Sequence, residues 1–184
     1  MKRIFVILIL YIIPLLSEAQ KDGFLMDDFT FQGSIGAVNV KSAESVSSAL
    51  AFSTSFGYFI KNNVNAGVFF GFDSQDSLDN FSTGIFTRYY VTPKNKFSFF
   101  GTLLFDYISN TNSVLNTKTN GYNINMAPGI NYFFTNNLAF EASFGNIGFS
   151  SSKPAGIKGA QPTNKISFGV NLSTIKLGII LKTQ

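Results

Sequence analysis

The chain has 184 residues, of which 45% are hydrophobic and 16% aromatic, with 22 Phe and no Trp. Only 13% are charged, against about 25% in ordinary soluble domains. The net charge of +4 is carried by scattered residues, and there is no Cys and no His. This composition excludes disulfides, a lipid-anchored cysteine, thiol nucleophiles, Ser-His triads and the common transition-metal ligands. It also gives no basic footprint for nucleic acid.

Lys2 and Arg3 precede an apolar run, Ile4 to Leu16, and Ser17-Glu18-Ala19 places small residues where a signal peptidase cuts. The pattern predicts a secretory signal peptide over residues 1–19 and a mature domain over 20–184. The competing reading, a membrane anchor, is disfavoured because the run falls short of the ~20 apolar residues of a spanning helix. Without Lys2, Arg3 and Glu18 the balance is 12 basic to 9 acidic residues, or +3.

Residues 20–28 read as a polar, acidic leader ending in Asp27-Asp28. Strict alternation then begins. Phe29, Phe31, Ile35 and Ala37 share one face of a first strand, and Thr30, Gln32, Ser34 and Gly36 the other. A second strand, 46–60, sets Leu50, Phe52, Phe56, Tyr58 and Ile60 against Ala49, Ala51, Ser53, Ser55 and Gly57. After Lys61-Asn62-Asn63, a third shows Val64, Ala66, Val68, Phe70 and Phe72 on its apolar face. The stretch 73–80, with Asp73, Asp76 and Asp79, reads as an acidic loop; it lacks the EF-hand glycine and terminal Glu, so a solvated loop is preferred to a cation site.

A fourth strand, 81–92, carries Phe81, Ile85, Tyr89 and Val91 outward, with Phe86, Arg88 and Tyr90 inward. A fifth, 97–108, carries Phe97, Phe99, Leu103, Phe105 and Tyr107 outward and Asp106 inward. After a Ser/Thr/Asn-rich loop, 109–120, a sixth strand runs over 121–134 with the cleanest alternation of all. Pro128 inside it must cost a ladder bond, which predicts a bulge or break there. A seventh strand, 138–149, turns Glu141 inward, and 150–163 reads as a Gly/Pro/Lys loop. In the tail, Ile166, Phe168, Val170 and Leu172 are in one phase, and Ile175, Leu177, Ile179 and Leu181 in the other, so Ser173-Thr174 must absorb a one-residue slip.

The aromatic hairpin at Tyr132-Phe133-Phe134-Thr135-Asn136-Asn137-Leu138 repeats Tyr58-Phe59-Ile60-Lys61-Asn62-Asn63-Val64, and Asn-rich connections tolerate the left-handed backbone of tight turns. Short connections (61–63, 93–96, 135–137) thus alternate with longer polar ones (39–45, 73–80, 109–120, 150–163). One face is apolar; the other is Ser, Thr, Asn and Gly. A soluble barrel would wear its charges outside, and this chain has too few of them. In lipid, only helices and closed barrels satisfy every backbone group, and no stretch after residue 19 is apolar enough for a spanning helix. The predicted fold is therefore all-β, an eight-stranded antiparallel up-and-down transmembrane β-barrel, with Tyr58, Tyr89, Tyr132 and Phe134 as an interfacial girdle.

Gly57–Gly71, Phe81–Tyr107, Met126–Gly145 and Phe168–Leu181 resemble the bacterial outer membrane β-barrel domain family, in form the small OmpA/OmpX-type, porin-like barrels. The repeated Tyr-Phe-x-x-Asn-Asn turn, Arg88-Tyr89-Tyr90 and Pro128-Gly129 carry the likeness. The resemblance implies a barrel in the outer membrane of a Gram-negative cell and no particular reaction. It implies the lipid bilayer, lipopolysaccharide and the outer-membrane assembly machinery as partners. Such barrels commonly end in an aromatic residue, and this sequence departs from them with Leu181-Lys182-Thr183-Gln184.

Arg88, Asp106 and Glu141 fall inward within strands, and Lys176 lies on the strand beside Glu141. Turn counting puts Arg88 and Glu141 at like depth. A structural lumen ion pair is preferred to an ion path, because an unpaired interior charge is so costly. The residues predict a monomeric, non-enzymatic barrel without cofactor, with a plugged lumen and a structural or loop-mediated role. The alternatives are a narrow channel for small solutes and, third, a lipid-modifying enzyme.

Overall fold

The computed structural model describes residues 23–42, 45–75, 78–157, 159–169 and 175–183. The expected signal peptide, Asp76 and the slip at Ser173-Thr174 lie outside them. Among the described residues ten strands follow one another: β1 (Phe29–Ser42), β2 (Ser45–Lys61), β3 (Val64–Gln75), β4 (Leu78–Tyr90), β5 (Phe97–Asn112), β6 (Thr117–Phe133), β7 (Leu138–Ser143), β8 (Asn146–Pro154), β9 (Thr163–Gly169) and β10 (Lys176–Thr183).

They make eight wall positions. β1 to β6 pair in sequence, each antiparallel to the next. β7 and β8 both pair with β6, one with each half of it, and so form the seventh position. β10 lies on β7 and β9 on β8, forming the eighth. β10 closes the barrel against β1, from Phe29↔Thr183 to Gly36↔Lys176.

The expected break at Pro128 appears in the neighbouring strand. Pairing with β5 runs through Pro128↔Gly101 without a slip. On the other side, Met126 pairs with Ile147 and Gly129 with Ser143, so two residues of β6 face three of the seventh position. A strand residue points its N–H and C=O to the same neighbour. Pro128 accepts from the Phe144 amide at 3.1 Å on this side but has no N–H to return. The chain bulges here, with Gly145 at φ +70°. The single seventh strand expected over 138–149 is therefore two, β7 and β8.

The long polar connections are shorter than expected. Residues 39–42, 73–75, 78–80, 109–112, 117–120 and 150–154 extend the strands instead of forming loops. Ladder pairing needs backbone, not apolar side chains, and Ser, Thr and Asn alternate as well as Phe does. Asp73 and Asp79 thus stand on paired strands, where Asn80 Nδ2 donates to Asp73 Oδ2 at 2.6 Å and Ser74 Oγ to Asp79 Oδ1 at 2.7 Å. The hairpins still overhang at this end, while the Asn62-Asn63 end has tight turns.

Alternation sorts the described side chains as the sequence implies. Phe52, Phe56, Phe70, Phe72, Ile85, Leu103, Phe105, Ile124 and Ile179 are exposed on the outside; Ser55, Asn65, Phe86, Asp106, Asn131 and Glu141 are buried inside. Ile166 and Phe168 in β9 and Leu177 and Ile179 in β10 all face outward, so the phase of the tail does change between these strands. An apolar exterior with a polar interior is the inverse of a soluble protein and is what lipid requires. Phe70→Arg or Leu103→Arg is accordingly expected to cost about 2–4 kcal/mol near the bilayer midplane. Urea unfolding in lipid vesicles checks this; equal tolerance of Arg at outward and inward sites contradicts the assignment of faces.

A sealed base and an open cavity in the lumen

At the turn end the segment just before β1 packs among the inward side chains of β2, β4 and β6. The Gly23-Phe24 pair, expected to belong to a polar leader, is instead fully buried. Phe24 has ring centroids at 4.6 Å from Phe59, 4.8 Å from Phe133 and 4.9 Å from Tyr90. Backbone bonds hold it there: Phe24 N to Pro93 O at 2.6 Å, Asp27 N to Phe59 O at 2.9 Å and Phe59 N to Asp28 O at 2.9 Å. Gly23, at φ +90°, lies so close to the 92–96 turn that a Cβ would stand 2.4 Å from Pro93 O. Glycine is the residue that fits both demands.

A buried ion pair ties this segment to the last strand. Lys182 Nζ lies 3.4 Å from Asp28 Oδ2, with both side chains fully enclosed. The ammonium also donates to Gly23 O at 2.7 Å, and the Leu25 amide donates to Asp28 Oδ2 at 2.7 Å. Burial pushes the Asp28 carboxyl above the usual carboxylate range, against the Leu25 amide and the Lys182 ammonium, which draw it down.

Above this layer sits the floor of the lumen. Arg88 Nη1 donates to Glu141 Oε2 at 2.6 Å, from β4 across to β7. Gln32 Nε2 takes the other oxygen, Oε1, at 2.6 Å, and Ser55 Oγ donates to Gln32 Oε1 at 3.1 Å. Arg88 Nε donates to Thr102 Oγ1 at 3.0 Å, and the guanidinium lies over Phe100, 4.9 Å from the ring centre. Both carboxylate oxygens are therefore occupied, as a buried charge demands.

The structure brings Arg88 and Glu141 together and leaves the other two inward charges apart from them. Asp106 accepts from Asn123 Nδ2 at 3.2 Å. Lys176 pairs in register with Ser143, whereas Glu141 faces Gly178, so Lys176 stands above the bridge and not on it. It lines a cavity of about 300 Å³ above the floor, with Phe69, Phe86, Leu104, Asn125, Ser143 and Asn146 among its walls. A second space of about 50 Å³, sharing Phe69, Ser53 and Lys176 with the first, lies beside Asp73 and Ser82 toward the overhanging hairpins.

Gln32, Asp28 and Lys182 were not among the site residues expected from the sequence. A signal existed for each: carrying the inward face of β1 back from Gln32 by steps of two reaches Asp28, and carrying that of β10 on from Ile180 reaches Lys182. Among the described residues, no group of three or more His, Cys, Asp or Glu is placed to hold a metal ion.

No protein-family model matches the chain, and no curated protein matches it. Solved structures do. The N-terminal β-barrel domain of Pseudomonas aeruginosa OprF superposes with a TM-score of 0.58 at 15% identity, over 86% of this chain and 98% of that one. Neisserial surface protein A gives 0.53 at 13% identity, over 84% and 97%. The outer membrane protein OprG from Pseudomonas aeruginosa gives 0.55 at 11% identity, over 88% and 98%. At such identities the likeness establishes the fold alone: this chain folds as a small, closed, eight-stranded antiparallel β-barrel.

Proposed function

We propose that the chain is an outer-membrane barrel with a lumen plugged at its periplasmic base, working as a structural and loop-presenting protein and not as a channel. The observation that carries this is the base itself, where Phe24 fills the ring of Phe59, Tyr90 and Phe133 beneath the Arg88–Glu141 floor. A through-path for solute would have to displace both. The turns are assigned to the periplasm and the overhanging hairpins to the outside, as in barrels of this architecture.

The loop-presenting part of the reading rests on the hairpin tips. Val114 and Leu115 are 75% and 68% exposed between β5 and β6, and Ile157 is 63% exposed between β8 and β9. Apolar side chains held beyond the wall at hairpin tips suit contact with a partner surface or with lipopolysaccharide. The bilayer and the outer-membrane assembly machinery complete the partners proposed, with the barrel as a monomer.

Purified protein in planar bilayers is expected to give no steady single-channel conductance. Regular conductance steps from the wild-type protein would overturn the plugged reading in favour of the narrow channel. Protease added to intact cells is expected to cut at 113–116 or 155–162 and to spare Lys61-Asn62-Asn63. Cleavage at 61–63 from outside would invert the orientation.

A further inference from the structure

The cavity above the floor has two unlike halves. Phe69 on β3, Phe86 on β4 and Leu104 on β5 line one side, with Arg88 and Thr102 on the same strands and Asn125 beside them on β6. Ser143, Asn146 and Lys176, on the seventh and eighth wall positions, line the other, continued by Gln32, Ser34, Ser53 and Ser55 on β1 and β2. In an eight-stranded barrel the third to fifth strands stand across the axis from the seventh, eighth and first. The three large apolar side chains are therefore gathered on one side of a small space, and most of its serine hydroxyls on the other.

The charges around it are largely committed. Both oxygens of Glu141 accept, from Gln32 and Arg88, so the floor offers no free carboxylate to a cation. Lys176 shares the upper space with Asp73, so the mouth carries both signs. The polar side is also preordered: Ser34 Oγ and Ser53 Oγ lie 2.6 Å apart, and Ser55 is tied to Gln32. A hydroxyl that spends its proton on a neighbour keeps a lone pair for a second partner. The volume is at the low end of the range for small-molecule sites, roughly 300–1,000 Å³.

From this division we infer that the lumen cavity is a binding site, open toward the hairpin end and closed below, for a small uncharged polyhydroxylated solute of monosaccharide size. A pyranose has the matching anisotropy. Its C–H face packs against Phe69 and Phe86, while its ring hydroxyls both donate to and accept from Ser34, Ser53, Ser143 and Asn146 opposite and from Thr102 and Asn125 at the sides. A purely apolar ligand would leave the hydroxyl wall unpaired, a cation would find the Glu141 carboxylate already taken, and an anion would compete with Asp73 for Lys176. The inference goes beyond the plugged, loop-presenting reading and holds whether or not the hairpin tips engage a partner.

The test is titration of the full mature protein, refolded in detergent micelles, with D-glucose, D-galactose and D-mannose in turn, and with sodium glucuronate and ammonium chloride as charged probes. Backbone amide NMR signals of Ser53, Thr102 and Asn125 report on the cavity, and that of Leu103, whose side chain faces outward, serves as reference. At least one neutral hexose is expected to give saturable shifts confined to the cavity signals, with a dissociation constant on the order of millimolar. Ala127→Phe, which fills the space from β6, and Ser34→Leu, which removes a hydroxyl from β1, should each weaken binding by about tenfold or more. Heat-modifiable migration on gels confirms that each variant is folded; two chemically different substitutions keep the test informative if one fails to fold. Absence of saturable shifts with all three hexoses, saturation by glucuronate or ammonium alone, or undiminished hexose binding by a folded variant would overturn the inference.

Discussion

Phe24→Ala is expected to destabilise the barrel by about 3–5 kcal/mol, the range for removing a fully buried Phe. The ring is wholly enclosed and touches Phe59, Tyr90 and Phe133 at once, so its loss leaves a void that three rigid strands cannot close. Phe24→Leu, which refills most of the volume, should recover the larger part. The effect separates from a general weakening of the wall because it is local: the segment is bound to Pro93 O and Phe59 O and tied by Lys182 to Gly23 O. Gly23→Ala should therefore weaken the same segment without touching the aromatic cluster, since its Cβ would meet Pro93 O and the adjoining Lys94 backbone. Urea unfolding in lipid gives the energies, and bilayer recordings give the consequence. Because the Arg88–Glu141 floor lies above the segment, ion leakage is expected only when Phe24→Ala is combined with Arg88→Met and Glu141→Gln. A Phe24→Ala variant that unfolds like the wild type, or a triple variant that folds and stays silent, would show that the segment does not seal the base.

Much of this fold was legible because a barrel wall is written in the simplest of periodicities. Each strand alternates with period two, and the apolar set must meet lipid, so Phe70, Ile85, Leu103 and Ile124 declare the outside without any knowledge of partners. The tight turns were equally legible, since Asn-Asn pairs carry their own backbone preference. What alternation does not encode is where pairing ends. Residues 109–112 and 117–120 look like loop by composition, yet they continue the ladder, because a β-ladder outside the bilayer needs only backbone and a compatible neighbour. Pro128 announced a disturbance but not its place: the missing N–H is felt by the strand that would have accepted from it, and Gly145 on that strand supplies the bulge. Phe24 was hidden for another reason. One aromatic in a short polar stretch has no period, and its burial depends on three residues brought together only when β2, β4 and β6 close.

Arg88→Met or Glu141→Gln alone is expected to destabilise the protein by about 3–5 kcal/mol, the range for breaking a buried ion pair from one side. The cost is set by the charge that is left behind. With Arg88 gone, Glu141 keeps Gln32 on Oε1 but loses its only counter-charge within ion-pair distance among the described residues. With Glu141 neutralised, the guanidinium keeps Thr102 and the faces of Phe86 and Phe100 but no longer faces a carboxylate. The double variant leaves neither charge unpaired, so it should lose less than the sum of the single losses, by a coupling on the order of 0.5–3 kcal/mol. Lys176 does not rescue the single variants, because Glu141 pairs in register with Gly178 and Lys176 stands above the bridge with Ser143. Lys176→Met in the Arg88→Met background should therefore add its own small effect and no more. The measurement is a double-mutant cycle on urea unfolding in lipid for each pair. Strict additivity for Arg88 and Glu141 would show that the cross-lumen contact contributes nothing to the fold, and strong coupling between Glu141 and Lys176 would move the floor of the cavity to the eighth wall position.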